Sequence, residues 1–247
     1  MSQVDRSFIG SGLISLQPYA GDAPLLPVGN VSEFTLSFEE ETQTLPNSTG
    51  GGGNRNVLTR ISGVTGSMNA SDFNANNLAM ALRAAVVSAA TEVVTDEELK
   101  SFGVDGERIP FNQLPDLTQD VTVKKADDSA LAEGIDYNLS KAGLVVIGDG
   151  KIDGDGIKVS YTPRKATLIK ALVESGKEFK LMLEGLNEAQ SGLPHTIRIH
   201  RIKFSPAQDL GFISDDFASL SMNFEILADP KITASDESQF FVIEMAD

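Results

Sequence analysis

From Val31 to Phe38 the side chains alternate, with Phe34, Leu36 and Phe38 on one parity and Glu33, Thr35 and Ser37 on the other. Successive side chains of an extended chain point to opposite faces, so this run is a strand with one face in a core and the other in water. A second run, Val57–Met68, reads as another strand. After it, Leu78, Leu82, Ala85 and Val86 recur at helical spacing, which predicts a helix over Phe73–Ser88 capped by Ser71 or Asp72. Between the strands, Glu41–Asn56 shows no apolar period and contains Gly50-Gly51-Gly52-Gly53. A hairpin turn needs roughly two to five residues. The segment is therefore expected to be a long functional loop, mobile until a partner orders it.

The remaining strands are read around this stretch. Phe8–Leu16 is a first strand, followed by a connection punctuated by Pro18, Pro24 and Pro27. Between Asp96 and Thr162 the texture changes: fourteen acids against seven bases, with short apolar runs separated by turn dipeptides. Gln119–Lys124, Ile135–Leu139, Gly143–Ile147 and Gly156–Tyr161 are its predicted strands, and Asp96-Glu97-Glu98 is expected to be a solvated face or the cap of a short helix into Lys100. The long pattern resumes with strands at Lys177–Glu188, Thr196–Phe204, Phe217–Leu227 and Phe240–Met245, while Leu168–Val173 is ambiguous between helix and strand. Ile197 and Ile199 share one parity and Ile202 and Phe204 the other, so a bulge is expected near His200-Arg201. The predicted fold is mainly β: a sandwich or barrel of seven or eight strands with one flanking helix, formed by 1–95 and 163–247, plus a small inserted β-rich domain over 96–162. Two domains that simply follow one another are the competing arrangement.

Composition narrows function by exclusion. The net charge of −15 repels nucleic acid and anionic membranes. Apolar runs fall short of the roughly 20 residues of a membrane span, and Met1–Arg6 lacks the apolar stretch of a secretory signal. The absence of cysteine removes disulfides, thiolate nucleophiles and thiolate metal ligands, and fits assembly in a reducing compartment. His195 and His200 fall on opposite strand faces and are read as surface residues rather than as a metal or acid–base pair. No Gly-x-Ser-x-Gly elbow occurs, and the glycine cluster lacks the Gly-Lys-Ser/Thr of a phosphate-cradling loop. Asp149, Asp153 and Asp155 resemble a calcium loop in part, but Lys151 breaks the pattern and no glutamate follows at the twelfth position. A tight hairpin between Val145 and Val159 is the expected explanation of these Asp-Gly pairs. The sequence therefore nominates no catalytic, cofactor-binding or metal residue. A carbohydrate-binding sandwich is a poor fit, since the chain has no tryptophan and its tyrosines are Tyr19, Tyr137 and Tyr161.

The order of these features carries a resemblance. Val28-Gly-Asn-Val-Ser-Glu-Phe-Thr-Leu-Ser-Phe-Glu-Glu-Glu41, the Gly-rich segment, Val57–Met68 and Ser71-Asp-Phe-Asn-Ala-Asn-Asn-Leu-Ala-Met-Ala-Leu82 resemble the major tail tube proteins of long-tailed bacteriophages, and the strands from Lys177 onward fit the same pattern. The resemblance implies a virion structural protein, not an enzyme and without cofactors, that forms hexameric rings stacked into a tube through which the genome leaves. On that reading Glu33, Thr35, Ser37 and Glu39 line the channel, where carboxylates keep double-stranded DNA from sticking. Glu41, Pro46, Gly50, Gly51, Gly52, Gly53, Asn54 and Arg55 form an assembly loop that orders against the next ring. The implied partners are further copies of the chain, tail tip or baseplate, terminator and tape measure proteins and the passing DNA, with no membrane. The implied location is the virion tail, assembled in the bacterial cytoplasm. A tube protein of a bacterial contractile injection or secretion device shares these features. The segment 96–162 departs from the compact family pattern.

Overall fold

The computed structural model describes residues 6–148, 151–174 and 176–246. It is mainly β, sandwich-like, with antiparallel sheets and one α-helix among the described residues. The strands of the first part are β1 (Gly10–Pro18), β2 (Leu26–Pro27), β3 (Val31–Pro46) and β4 (Asn54–Ala70), followed by helix α1 (Ala75–Ala81) and β5 (Ala85–Ser88). The middle supplies β6 (Val94–Leu99), β7 (Arg108–Pro110), β8 (Thr122–Lys125), β9 (Tyr137–Ser140), β10 (Gly143–Val146) and β11 (Ile157–Tyr161). The last part gives β12 (Thr167–Lys170), β13 (Glu178–Asn187), β14 (Leu193–Phe204), β15 (Leu220–Ile226) and β16 (Phe241–Met245).

Two compact units result: residues up to Val86 together with those from Ile169, and Val87–Leu168. In the first, the main sheet runs β2-β1-β13-β14-β15-β4-β3. One edge of β14 pairs along β13, and its other edge is shared, by β16 over His195–Ile199 and by β15 over Ile202–Phe204. The parity shift read in the sequence has its counterpart here: Phe179 pairs with Ile202 and Leu181 with Ile199, so His200 and Arg201 lie together across from Lys180. That bulge lets Ile199 and Ile202 both enter the core. The core gathers Ile14, Leu181, Ile202, Leu220, Met222 and Phe224 under the curled sheet. A bidentate Arg201–Glu178 pair at 2.7 Å and a Tyr19 hydroxyl donated to Asp229 at 2.6 Å tie the opposite surface.

Three local expectations are corrected. The segment Glu41–Asn56 is not a loop: β3 continues to Pro46 and β4 begins at Asn54, leaving only Asn47–Gly53 as the turn. The period-2 signal is absent there because both faces are wet; among the segment's strand residues only the β-branched Thr42 and Thr44 favour a strand. The helix does not reach Ser88. Asn74, not Ser71 or Asp72, caps it, accepting from the Asn77 N–H at 2.9 Å, and Arg83 at φ 46° turns the chain into β5, where Val86-Val87 favour the extended state. Asp72 instead accepts the Asn30 N–H at 3.1 Å over Gly29, whose φ of +104° suits glycine.

The second unit has two three-stranded sheets, β7-β10-β9 and β6-β11-β8, around a core with Leu144, Ile157, Val159 and Tyr161. Asp96-Glu97-Glu98 lies in β6, not in a helix, and β10 and β11 belong to different sheets, so no hairpin joins Val145 to Val159. Asp149 lies outside the described residues. Carboxylates brace this unit. Asp136, only 5 % exposed, accepts the Ala132 N–H at 2.8 Å and meets Lys151 at 3.1 Å. The backbone hydrogen bond holds its carboxyl below the usual range, against the opposing effect of burial. Lys125 does the same for Asp153 and Lys158 for Asp128.

A carboxyl whose pKa is lower in the folded chain stabilises it above the unfolded value of about 3.9, and that contribution is lost as pH falls through the folded value. Stability is therefore expected to be flat above about pH 5 and to fall below about pH 4. Tyr137 and Tyr161, both buried in this unit, report it by near-ultraviolet circular dichroism. Asp136→Asn should flatten the acid limb and lower stability by about 1–3 kcal/mol at pH 7, the cost of weakening a buried hydrogen-bonded charge.

Candidate functional site: the polar sheet face and its projecting ribbon

The register of β3, β4 and β15 sets the site. Paired residues share a face, so Val64, Met68, Met222 and Phe224 join Phe34 and Leu36 against the core. The other face then carries three cross-strand rows: Glu33–Asn69–Ser221, Thr35–Ser67–Asn223 and Ser37–Thr65–Glu225. Glu39 opposite Gly63 completes it. Within the rows the Asn69 amide donates to Glu33 at 3.1 Å, and the Thr35 and Ser67 hydroxyls are 2.7 Å apart.

The predicted residues Glu33, Thr35, Ser37 and Glu39 therefore stand together, exposed, on one continuous polar surface. The sequence predicts the other two strands, Val57–Met68 and Phe217–Leu227, but does not assign them to this surface, although Thr65-Gly-Ser67-Met-Asn69 and Ser221-Met-Asn223-Phe-Glu225 show the same alternation. The carboxylates Glu33, Glu39 and Glu225 give the face its sign. Lys203, opposite Glu225 on β14, and Arg60, opposite Glu41, lie at its margins.

Beyond Glu39 the hairpin leaves the core. A bulge at Ser62 separates the pair Glu39–Gly63 from Glu40–Ile61, and from there to the tip nearly every residue of both strands is exposed. At about 3.4 Å per residue, Glu40–Pro46 projects on the order of 24 Å. Leu45, Val57, Leu58 and Ile61 are each about half exposed along it. The predicted loop residues divide accordingly: Glu41 and Pro46 lie on β3, Asn54 and Arg55 on β4, and Gly50–Gly53 in the turn. All four glycines have positive φ, between 72° and 96°, in open space. Asn47 closes the turn by donating its backbone N–H to the Gly53 carbonyl at 3.0 Å and its amide to the Gly50 carbonyl at 2.8 Å.

The histidines do not converge. His195 is buried edge-on to Phe8 at 5.1 Å, while His200 sits in the bulge on the opposite face. Asp153 is engaged by Lys125 at 2.9 Å and by the Asp155 N–H at 3.1 Å. Among the described residues no three acidic or imidazole groups cluster as a metal site, and no helix is long and apolar enough to cross a membrane.

A lone two-stranded ribbon is marginally stable in water. Limited trypsin digestion of the dilute protein is therefore expected to cut first after Arg55 or Arg60, leaving the rest of the fold intact. First cleavage elsewhere would show that the ribbon is better held than its exposure indicates.

A model of the family described as "Protein of unknown function UCP028589" matches residues 7–244. No curated protein matches the chain.

Proposed function

We propose that this chain, which belongs to that family of unknown function, is a self-assembling structural subunit: the wall protein of a tube of stacked, hexameric rings in the tail of a long-tailed bacteriophage. The observation that carries the reading is the β3–β4 ribbon. It extends far past its core, is wet on both faces and bears apolar residues that the described residues leave about half exposed. Such a ribbon is ordered by a partner, and here the partner is the next copy of the chain. β3 ends the main sheet, so its outer edge has no partner strand among the described residues. In a closed ring that edge becomes a joint, because closure removes unpaired backbone groups. The polar face of β3, β4 and β15 then lines the channel, and its three carboxylates repel phosphate so that DNA passes without being held. Tail tip, terminator and tape measure proteins are the further partners of such a tube.

Replacing Thr42–Thr59 by an Asn-Gly turn keeps the core half of the hairpin and removes the projecting ribbon. The expected result is a folded monomer with an unchanged melting profile that forms no tubes by negative-stain microscopy at concentrations where the wild type does. Tubes of normal width from this variant would remove the ribbon from the joint.

The lining is tested separately. Tubes of Glu33→Lys/Ser37→Lys/Glu39→Lys should retain double-stranded DNA in low salt and release it as salt rises, whereas wild-type tubes should not retain it. Equal retention by both would exclude this face as the lining.

A further inference from the structure

The connection from β14 to β15 carries side chains that the monomer leaves fully in water. Phe217 and Ile213 are 103 % and 99 % exposed and Phe212 is 75 % exposed. The root of this loop is fixed. The Ser205 N–H donates to the Asn223 carbonyl at 2.9 Å, the Ala207 N–H donates to the Ala81 carbonyl at 2.7 Å, and Ala207 and Leu210 pack on the core. A firmly rooted loop that ends in three bare hydrophobic side chains has the form of a binding knob, since soluble chains seldom expose such a cluster without a partner. The knob is also acidic. Asp209, Asp215 and Asp216 flank it, and no basic residue occurs between Phe204 and Lys231.

The same unit contains a receiving site. A cavity of about 420 Å³ lies between α1 and β1–β2, walled by Leu16, Pro27, Met80, Ala84, Phe179 and Phe204. Arg83, Lys177 and Glu174 stand at it. Arg83 donates Nε and Nη2 to the Phe204 carbonyl at 3.2 and 2.9 Å, which fixes the guanidinium at the wall, and Lys177 pairs with Glu174. A second apolar cavity of about 490 Å³ beside β16 carries Glu33 and neither lysine nor arginine, so an acidic knob is repelled there. Charge thus selects the first cavity.

We propose that the Phe212–Phe217 loop of one copy inserts into the α1 cavity of the next copy, with Asp215 and Asp216 meeting Arg83 and Lys177. Knob and cavity are different patches of one chain, so the contact is head-to-tail and repeats from copy to copy. The inference rests on the self-assembly reading and names a joint distinct from the β3–β4 ribbon.

The test compares wild type, Phe212→Ser/Ile213→Ser/Phe217→Ser, Lys177→Glu, Asp215→Lys/Asp216→Lys and the combination of the last two, by sedimentation velocity across a concentration series. The loop substitutions lie at exposed positions and should leave the melting profile unchanged. The triple variant is expected to raise the concentration of half-assembly by at least about tenfold, as removal of hot-spot side chains does. Each charge reversal should weaken assembly and the combination should restore it in part. Unchanged assembly of the triple variant, or no restoration by the combination, overturns this joint while self-assembly stands. A wild type that stays monomeric at every concentration overturns both. A charge effect on melting of the dilute monomer without an effect on assembly would mean that the loop fills its own cavity, which also overturns it.

Discussion

At Gly66 a Cβ would stand 2.4 Å from the ring of Phe224, so the bare backbone of β4 is what lets that ring lie flat in the core. Phe224 stacks on Phe34 of β3 at 6.1 Å and meets Phe204 of β14 edge-on at 5.7 Å. One ring therefore ties four neighbouring strands, and two such contacts contribute about 1–3 kcal/mol beyond burial. The register of β3, β4 and β15 depends on this packing, because a slip of one residue would carry Phe34, Phe224 and Met68 to the outside. The same register composes the outer rows of Glu33, Thr35 and Ser37 with their partners. Core and polar face are two readings of one alignment.

The projecting ribbon begins where that alignment is interrupted. At Ser62 the parity of β4 changes, and beyond it no aromatic ring anchors either strand. Four successive glycines in the left-handed region close the tip, a conformation that costs roughly 1–2 kcal/mol for each ordinary residue. The ribbon is thus shaped by backbone chemistry at its end and by β-branched residues along its length. Its apolar side chains stay about half exposed among the described residues.

The legible part of the fold followed from one-sided burial. Phe34 to Phe38, the alternation around Phe224 and the parity change at His200-Arg201 all announce strands because one face needs apolar residues. Where that asymmetry vanishes, the reading fails: Glu41–Pro46 passes for a loop because both its faces are polar. Val86 and Val87 passed for the end of a helix, since helical spacing cannot register that Arg83 has already reversed the chain. The Asp-Gly pairs after Val146 suggest a hairpin between β10 and β11, while β10 turns back onto β9 just before it and onto the distant β7, and both partners of β11, β6 and β8, lie tens of residues away, beyond any local pattern. The polar face was read from one strand only, because pairing with β4 and β15 is a long-range fact.

The interrupted order of the chain also affects how it can fold while being synthesised. Gly10 pairs with Asn187 and Ala70 with Leu220, so β1 and β4, although already paired with β2 and β3, gain their second neighbours only after Val87–Leu168 has been produced. Its two main sheets take all their strands from within that segment, so it can close early. At about 5–20 residues per second, the apolar face of the β3–β4 hairpin waits on the ribosome on the order of ten seconds for β15 to cover it. Phe34, Leu36 and Met68 are thus open to aggregation and to chaperone capture during that wait, a hazard created by the position of the insertion and invisible in the finished molecule.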